Sequence, residues 1–301
     1  MAHTENQIIE VIPSLLAGDG SFDVDSIPFC TLCIEVDERR IRFCIVRDEN
    51  LECVWIEDYG FDKVLTETEV FERLKRIFKG HLLWSSNSWL NVRIAINSRA
   101  FSLIPSILFE EHRIHNYLHF AMGAPVSADD KVLYHEVPLV HAHNVFCVPN
   151  LWYDWIVNHF SSSHISFYHI TSPLIIGALV SHAENEEVKI VSLYFEVDHF
   201  TMIVTDTNRL VLCNRYRFEH ASELAYIVLF ALHQLNLSSE EVRVICYGEI
   251  SMDSELVAEL MRFFSNLSLG RGPTTLRYSK HCGDIPGHRY FGLFNTFLVS
   301  S

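Results

Sequence analysis

Apolar runs broken by short polar turns occur in two similar stretches, one in each half of the chain. The first opens at residues 32–37, passes a charged corner, and continues through two more apolar runs as far as residue 55. The second opens at 194–198 and continues in the same way as far as residue 213. The opening run of each stretch ends in Glu-Val-Asp. A unit repeated at such long spacing predicts a duplicated architecture in which each half buries its own sheet.

Periodicity and end signals predict the other elements of the first half. Thr66 and Glu69 have the spacing of a capping box, which predicts a helix that ends at Gly80. Asn150 is expected to cap a short helix that reaches Phe160. The remaining predicted elements are strands at 92–96, 132–138, 144–148 and 165–170, and helices at 106–122 and 174–183.

The second half repeats this order. Three strands are predicted between residues 189 and 218, followed by a helix at 222–235 that is apolar nearly all round and is therefore expected to be buried on several sides. A strand at 242–247, a helix at 255–264, a loop at 270–273, a short strand at 275–278 and a closing helix at 290–298 follow. The order strand, strand, strand, helix, strand, helix thus occurs twice.

Length and this order together predict two domains. A chain of 301 residues is longer than one hydrophobic core usually supports. We expect an irregular lead-in at 1–29, a first domain at 30–186 and a second at 187–301, with the C-terminal helix able to pack back on the first. The polar run at 184–187 is the preferred boundary.

Composition and charge exclude several classes of partner. Apolar residues make up 49% and charged residues 20%, which is typical of a globular protein. The net charge of −15 opposes phosphate backbones and anionic membranes, so no nucleic-acid partner is expected. The run at 173–180 is far shorter than the roughly 20 residues that cross a bilayer, and no secretory signal opens the chain, which favours a cytoplasmic location without membrane insertion. Most cysteines lie in apolar strands, so we expect buried free thiols.

The order of elements resembles that of the actin, sugar kinase and heat-shock ATPase superfamily over about residues 30 to 299. The most similar members are divergent bacterial ones: the actin-like protein of type IV pilus assembly, the division protein of the same class, and a bacterial family of uncharacterised actin-like proteins. This resemblance implies an α/β fold of two duplicated actin-like (ribonuclease H-like) domains. Each would hold a three-stranded antiparallel unit plus parallel strands and helices, with a cleft between the domains.

The resemblance also implies where a nucleotide would bind. In active members the first strand of each half ends in Asp-x-Gly, where glycine lets the backbone approach the phosphates and the carboxylate holds Mg²⁺ through water. The matching triplets here are Glu35-Val36-Asp37 and Glu196-Val197-Asp198. Paired glycines beside the adenosine are represented by Gly248 and Glu249.

All three motifs depart from the family pattern. Glutamate replaces aspartate in both triplets, and Asp37 and Asp198 replace the glycines. A carboxylate about 4 Å from a phosphate charge costs roughly 4 kcal/mol at an effective dielectric constant near 20. We therefore expect no ATP hydrolysis, no bound cofactor and no catalytic residue in this chain.

Two other interpretations of these acidic residues stay open. In the first, the four are solvated acidic residues at strand ends, which are common in any sheet: Glu35, Asp37, Glu196 and Asp198. If all four line one cleft, they could instead hold a divalent cation without nucleotide.

Cys30 and Cys33 have redox spacing but enter a strand, and His141 and His143 lack an evident third metal ligand. The loop at 270–273 lacks the Lys-Ser or Lys-Thr of a phosphate loop.

The sequence favours a non-catalytic scaffold or adaptor whose ligand is a partner protein. The alternative is a divergent ATPase or phosphotransferase that uses ATP and Mg²⁺ in the interdomain cleft. There, Glu196 or Asp198 would arrange the metal, and Glu35 or Asp37 would position a nucleophile. A homo-oligomer or filament, as some members of the superfamily form, is a third possibility.

Overall fold

The computed structural model describes residues 11–18, 20, 22–98, 100–183, 189–207 and 209–299. Its strands are β1 (Leu15–Gly18), β2 (Cys30–Val36), β3 (Arg40–Arg47), β4 (Glu52–Gly60), β5 (Asn91–Ile96), β6 (Phe101–Pro105), β7 (Asp130–Val137), β8 (Ala142–Pro149), β9 (His164–His169), β10 (Lys189–Phe195), β11 (His199–Asp206), β12 (Arg209–Arg217), β13 (Val242–Gly248), β14 (Leu267–Leu269) and β15 (Arg277–Tyr278). Its α-helices are α1 (Glu67–Gly80), α2 (Ile114–Met122), α3 (Asn150–His159), α4 (Thr171–Ala183), α5 (Ala221–Gln234), α6 (Glu255–Leu260) and α7 (Phe291–Thr296).

The first half forms a sheet in the order β1-β4-β3-β2-β5-β9, with β15 beside β4. The predicted unit of three antiparallel strands is confirmed as β2, β3 and β4. Every residue of β2 is buried, as expected of a central strand covered on both faces. The capping box is also confirmed: the Thr66 side chain accepts from the Glu69 amide while the Glu69 carboxylate accepts from the Thr66 amide.

A separate three-stranded sheet, in the order β6-β8-β7, lies between β5 and β9 in the chain. The predicted helix at 106–122 is wrong over its first part, because two 3₁₀ turns precede α2. The strand β6 was not predicted; it pairs antiparallel with β8, so tertiary pairing determines its conformation. Asn150 does not cap α3. Its side-chain amide donates to the Ala128 carbonyl, and Pro149 occupies the cap position.

The second half forms a sheet in the order β12-β11-β10-β13-β14. The expectation that the helix at 222–235 is buried on several sides is wrong, since Tyr226 and Phe230 of α5 are 65% and 52% exposed. This helix covers one sheet face and turns these rings to solvent. The predicted helix at 255–264 ends at Leu260, so Met261 is exposed.

Helices α4 and α7 join the two halves. They pack against each other so closely that a Cβ on Gly177 of α4 would lie 2.5 Å from the Phe291 ring. Helix α7 also packs on β2, β3 and β5 of the first sheet and on β13 of the second. The strand ends of both sheets therefore face one cleft. The boundary predicted at 184–187 lies outside the described residues.

Candidate functional site

Two tight turns face each other across the cleft, one from each half. In the first, Val36 pairs with Ile41 and the Asp37 amide donates to the Arg40 carbonyl at 2.9 Å. In the second, Phe195 pairs with Phe200, and the Glu196 amide donates to the His199 carbonyl at 2.9 Å. Asp37 therefore corresponds to Glu196 in the fold.

This register corrects the sequence comparison of the two Glu-Val-Asp triplets. The triplets are offset by two residues, so Glu35 corresponds to Tyr194 and not to Glu196. The identical letters do not mark equivalent positions, because the first triplet begins inside β2, whereas the second begins at the residue that follows β10. The fold is duplicated as predicted, but the acidic positions are matched differently.

The parallel strands beside these turns end in a second matched pair. The Asn97 amide donates to the Val36 carbonyl, and the Glu249 amide donates to the Phe195 carbonyl, both at 2.9 Å. Gly248, just before Glu249, has φ +82°, and a Cβ there would lie 2.2 Å from the Phe195 carbonyl oxygen. The remaining glycine of the expected pair is thus required by the close approach of two strands.

The predicted site residues converge as the resemblance implied. Glu35, Asp37, Glu196, Asp198 and Glu249 line one cleft, and Gly248 precedes its last member. The same cleft is lined by four guanidinium groups, those of Arg39, Arg40, Arg42 and Arg215. Its free volume is ≈ 40 Å³, which holds a few water molecules at about 10–15 Å³ each.

Arg42 makes the central contact across the cleft. It lies on β3 of the first half and is 2% exposed. Its Nη1 donates to Glu35 Oε1 at 3.2 Å, and its Nε to Asp58 Oδ2 at 3.4 Å. Its Nη2 donates to Glu249 Oε1, which belongs to the second half. One buried cation therefore holds carboxylates from both halves together.

Glu249 has further cationic partners. Arg40 Nη2 lies 3.4 Å and Arg289 Nη2 2.8 Å from Glu249 Oε2. Tyr194, also from the second half, donates its hydroxyl to Glu35 Oε1 at 3.2 Å. The carboxylate of Glu35 therefore accepts hydrogen bonds from both halves, from Arg42 of the first and Tyr194 of the second.

A matching contact crosses the cleft in the other direction. The Asn97 amide of the first half donates to Glu196 Oε1 of the second. Arg215 donates to Glu196 Oε2 at 2.9 Å and to the Ser98 carbonyl, which again joins the halves. Asp198 lies nearer the rim, where it accepts from His199 Nδ1 at 2.8 Å and from Arg217 at 3.3 Å.

The carboxylates of the cleft differ in their pKa values. Burial raises the pKa of Glu35 despite the neighbouring Arg42. Burial also raises the pKa of Asp37, to about 7, and the negative charge of Glu196 adds to this. For Glu196 itself, burial acts upward, but Arg215 and the His199 hydrogen bond outweigh it, so the pKa is lowered. The arginines thus keep some acids ionised while others are held closer to neutrality.

Of the residues that bridge the cleft, Glu196 and Glu249 were identified from the sequence, but their partners were not. Arg42 carried a usable signal, because it interrupts the apolar run 41–46 and a buried arginine requires a paired anion. Arg215, Asn97 and Tyr194 carried none, since each lies in an ordinary strand or turn.

The cysteine pair Cys30 and Cys33 and the histidine pair His141 and His143 do not line the cleft. Cys33 lies in the core beside Cys44, and the predicted buried environment of the thiols is confirmed except at half-buried Cys213. The His143 ring stacks on Phe109 at 3.8 Å. Within the described ranges, no three His, Cys, Asp or Glu side chains are grouped so that they could hold a metal ion.

Comparisons with known structures define the class of protein. A protein from Bacteroides thetaiotaomicron with an actin-like ATPase fold and unknown function superimposes with a TM-score of 0.73 at 20% identity, over 83% of this chain and 94% of that one. The PilM–PilN type IV pilus biogenesis complex matches with a TM-score of 0.66 at 11% identity, over 89% of this chain and 97% of that one. The protein therefore has a two-domain actin-like fold, as the order of elements implied.

The family is also established. Residues 19–267 match the model of the family described as "Protein of unknown function (DUF3822)", and the chain belongs to that family. No curated protein matches the chain. In the part of the chain that the structure describes, no helix has the length and apolar character needed to span a membrane.

Proposed function

We propose that this protein is a non-catalytic actin-like scaffold or adaptor whose cleft is closed by its own side chains in place of a nucleotide. The observation that carries the proposal is the cross-cleft pair of Arg42 and Glu249, matched on the other side by Asn97 and Glu196. These contacts join the two halves where the superfamily places its nucleotide.

Space in the cleft supports this proposal. Small-molecule sites have volumes of roughly 300–1,000 Å³, whereas this cleft has ≈ 40 Å³ free. To admit a nucleotide, the halves would have to separate, and Arg42 and Glu249 would lose each other as partners. Separation would break this cross-cleft contact and leave Arg42 with Glu35 and Asp58 and Glu249 with Arg289, so the lost attraction opposes opening of the cleft.

Charge in the cleft supports it as well. Arg42 and Arg215 could attract phosphates, but each already pairs with carboxylates at short range. Asp37 and Glu196 occupy the two turns that would face a triphosphate. Where these carboxylates are ionised, each repels a phosphate charge about 4 Å away by roughly 4 kcal/mol at an effective dielectric constant near 20. The cleft is therefore better suited to holding itself closed than to binding an anion.

Under this proposal, the ligand of the molecule is a partner protein. PilM has the same fold and was solved in a complex with PilN. A fold can keep a partner-binding role after its chemistry is lost, because function depends on sites and not on the scaffold. From PilM we take only the class of ligand: we propose that this chain also binds a protein.

Titration calorimetry with Mg-ATP and Mg-ADP tests the proposal. We expect no saturable heat of nucleotide binding in the cleft. Phosphate release from ATP should be no faster than in buffer. Micromolar binding that Asp37→Asn strengthens and Glu240→Gln leaves unchanged would contradict it, because Glu240 is an exposed acid outside the cleft. Turnover abolished by Glu196→Gln would instead support the alternative, a divergent ATPase or phosphotransferase.

A further inference from the structure

We propose that a second pocket, at the joint between the halves, binds a small organic anion that carries a phosphate or carboxylate group on an apolar body. The pocket has a volume of ≈ 350 Å³, within the roughly 300–1,000 Å³ of small-molecule sites. Its walls come from α4, β13, the segment 268–274 and Asn295 of α7. It is distinct from the acidic cleft, with which it shares no lining residue.

The glycine-rich loop at 270–273 forms one wall. It follows β14, which pairs in parallel with β13, and the Gly270 amide donates to the Cys246 carbonyl at 2.9 Å. A Cβ on Gly270 would lie 1.9 Å from the Tyr247 ring, and one on Gly272 would lie 2.2 Å from the Tyr278 hydroxyl. Both glycines thus hold the loop against neighbouring rings, which gives the pocket a fixed wall.

The charge of the pocket is opposite to that of the molecule as a whole. Arg243 and Arg271 line it, together with the hydroxyl side chains Ser181, Ser268 and Thr274. No carboxylate belongs to the described residues that line it, although the protein carries a net charge of −15. Guanidinium groups bind phosphate and carboxylate oxygens in paired hydrogen bonds. These side chains therefore favour an anionic group.

The rest of the lining favours an apolar body with a donor group. Val180, Ile245 and Leu269 supply aliphatic surface. Asn295 is completely buried, and its amide nitrogen donates to the Phe291 carbonyl at 2.8 Å. Its Oδ1 has no hydrogen-bond partner among the described residues. A buried acceptor without a partner is costly, so a ligand hydroxyl or N–H group would satisfy it.

The place of the pocket gives the ligand a structural consequence. Asn295 belongs to α7, which packs on the first sheet, whereas β13 and β14 belong to the second. A molecule bound here contacts elements that connect both halves. Binding is therefore expected to stabilise the joint by RT ln(1 + L/Kd), where L is the ligand concentration, which rises with the logarithm of that concentration at saturation.

Three probes distinguish the contribution of the anionic group from that of the apolar body: phenyl phosphate, inorganic phosphate and benzyl alcohol. We expect phenyl phosphate to bind most tightly in calorimetry, inorganic phosphate more weakly, and the neutral alcohol least. Arg271→Gln should weaken phenyl phosphate binding about tenfold, the effect of one charge-assisted contact. Arg277→Gln, which removes another exposed arginine, in β15 outside the pocket, should change it little.

Hydrogen exchange of the wild-type protein locates the site without any variant. Phenyl phosphate should protect amides of 268–274 and α4, and leave the turns at Asp37 and Glu196 unchanged. The proposal is overturned if none of the probes binds at millimolar concentration, if both arginine variants weaken binding equally, or if protection appears in the cleft. If the heat of nucleotide binding disappears in Arg271→Gln, the nucleotide binds in this pocket. The proposal about the cleft is then unaffected.

Discussion

Arg42 is the residue on which the closed cleft depends most, because its guanidinium contacts carboxylates of both halves. Arg42→Met should lower the free energy of unfolding by about 3–5 kcal/mol, since Glu35 would stay buried without a cation and Asp58 would keep only Arg40. Arg47→Met removes an ion pair whose arginine side chain is 43% exposed and should cost no more than about 1 kcal/mol. Urea denaturation measures both. Equal losses would contradict the role given to Arg42.

Asp37 makes the stability depend on pH. Its pKa of about 7 in the folded protein exceeds the value of about 3.9 in an unfolded chain. Between these values the folded state holds a proton that the unfolded state releases, so its contribution to stability falls as pH rises through this window and is lowest above it. Asp37→Asn should therefore raise the free energy of unfolding near pH 8 by up to about 4 kcal/mol and change it little near pH 4. Denaturation at both pH values measures this; an equal effect at each would contradict the prediction.

At the scale of elements, the end of β13 requires glycine and the end of α1 does not. Gly248 has φ +82°, and a Cβ there would clash with the Phe195 carbonyl. Gly248→Ala should destabilise the protein by about 1–3 kcal/mol. Gly80 has open space around its Cβ position, so Gly80→Ala should be neutral or stabilise by up to about 1 kcal/mol. Thermal unfolding of the two variants checks this; a harmless Gly248→Ala would show that the strands can move apart.

Local signals were sufficient for most elements. Apolar runs separated by polar turns predicted the three-stranded units, and the Thr66 capping box placed the start of α1. Where contacts between distant segments decide the structure, the pattern was insufficient. Strand β6 forms because β8 lies beside it, and α5 turns Tyr226 and Phe230 outward although its sequence is apolar nearly all round.

At the scale of the whole molecule, equivalent positions of the two halves each contact the opposite half across the cleft. Asn97 and Glu249 directly follow equivalent strands, and each contacts a residue of the opposite half. The sequence predicted the duplication and the convergence of the acidic residues. It did not identify Arg42 as the partner of Glu249, because a pair so far apart in the chain leaves no periodic trace. The repeated Glu-Val-Asp letters even indicated a register that the hairpins do not have.

A double-mutant cycle between Arg42→Met and Glu249→Gln tests most directly whether side chains hold the two halves together. The free energies of unfolding of the wild type, both single variants and the double variant are measured under one condition. A coupling energy of about 1–3 kcal/mol is expected, as for residues in direct contact in one ionic network. A coupling energy below about 0.5 kcal/mol, the scatter of independent sites, would contradict the account of a cleft closed by its own ion pairs.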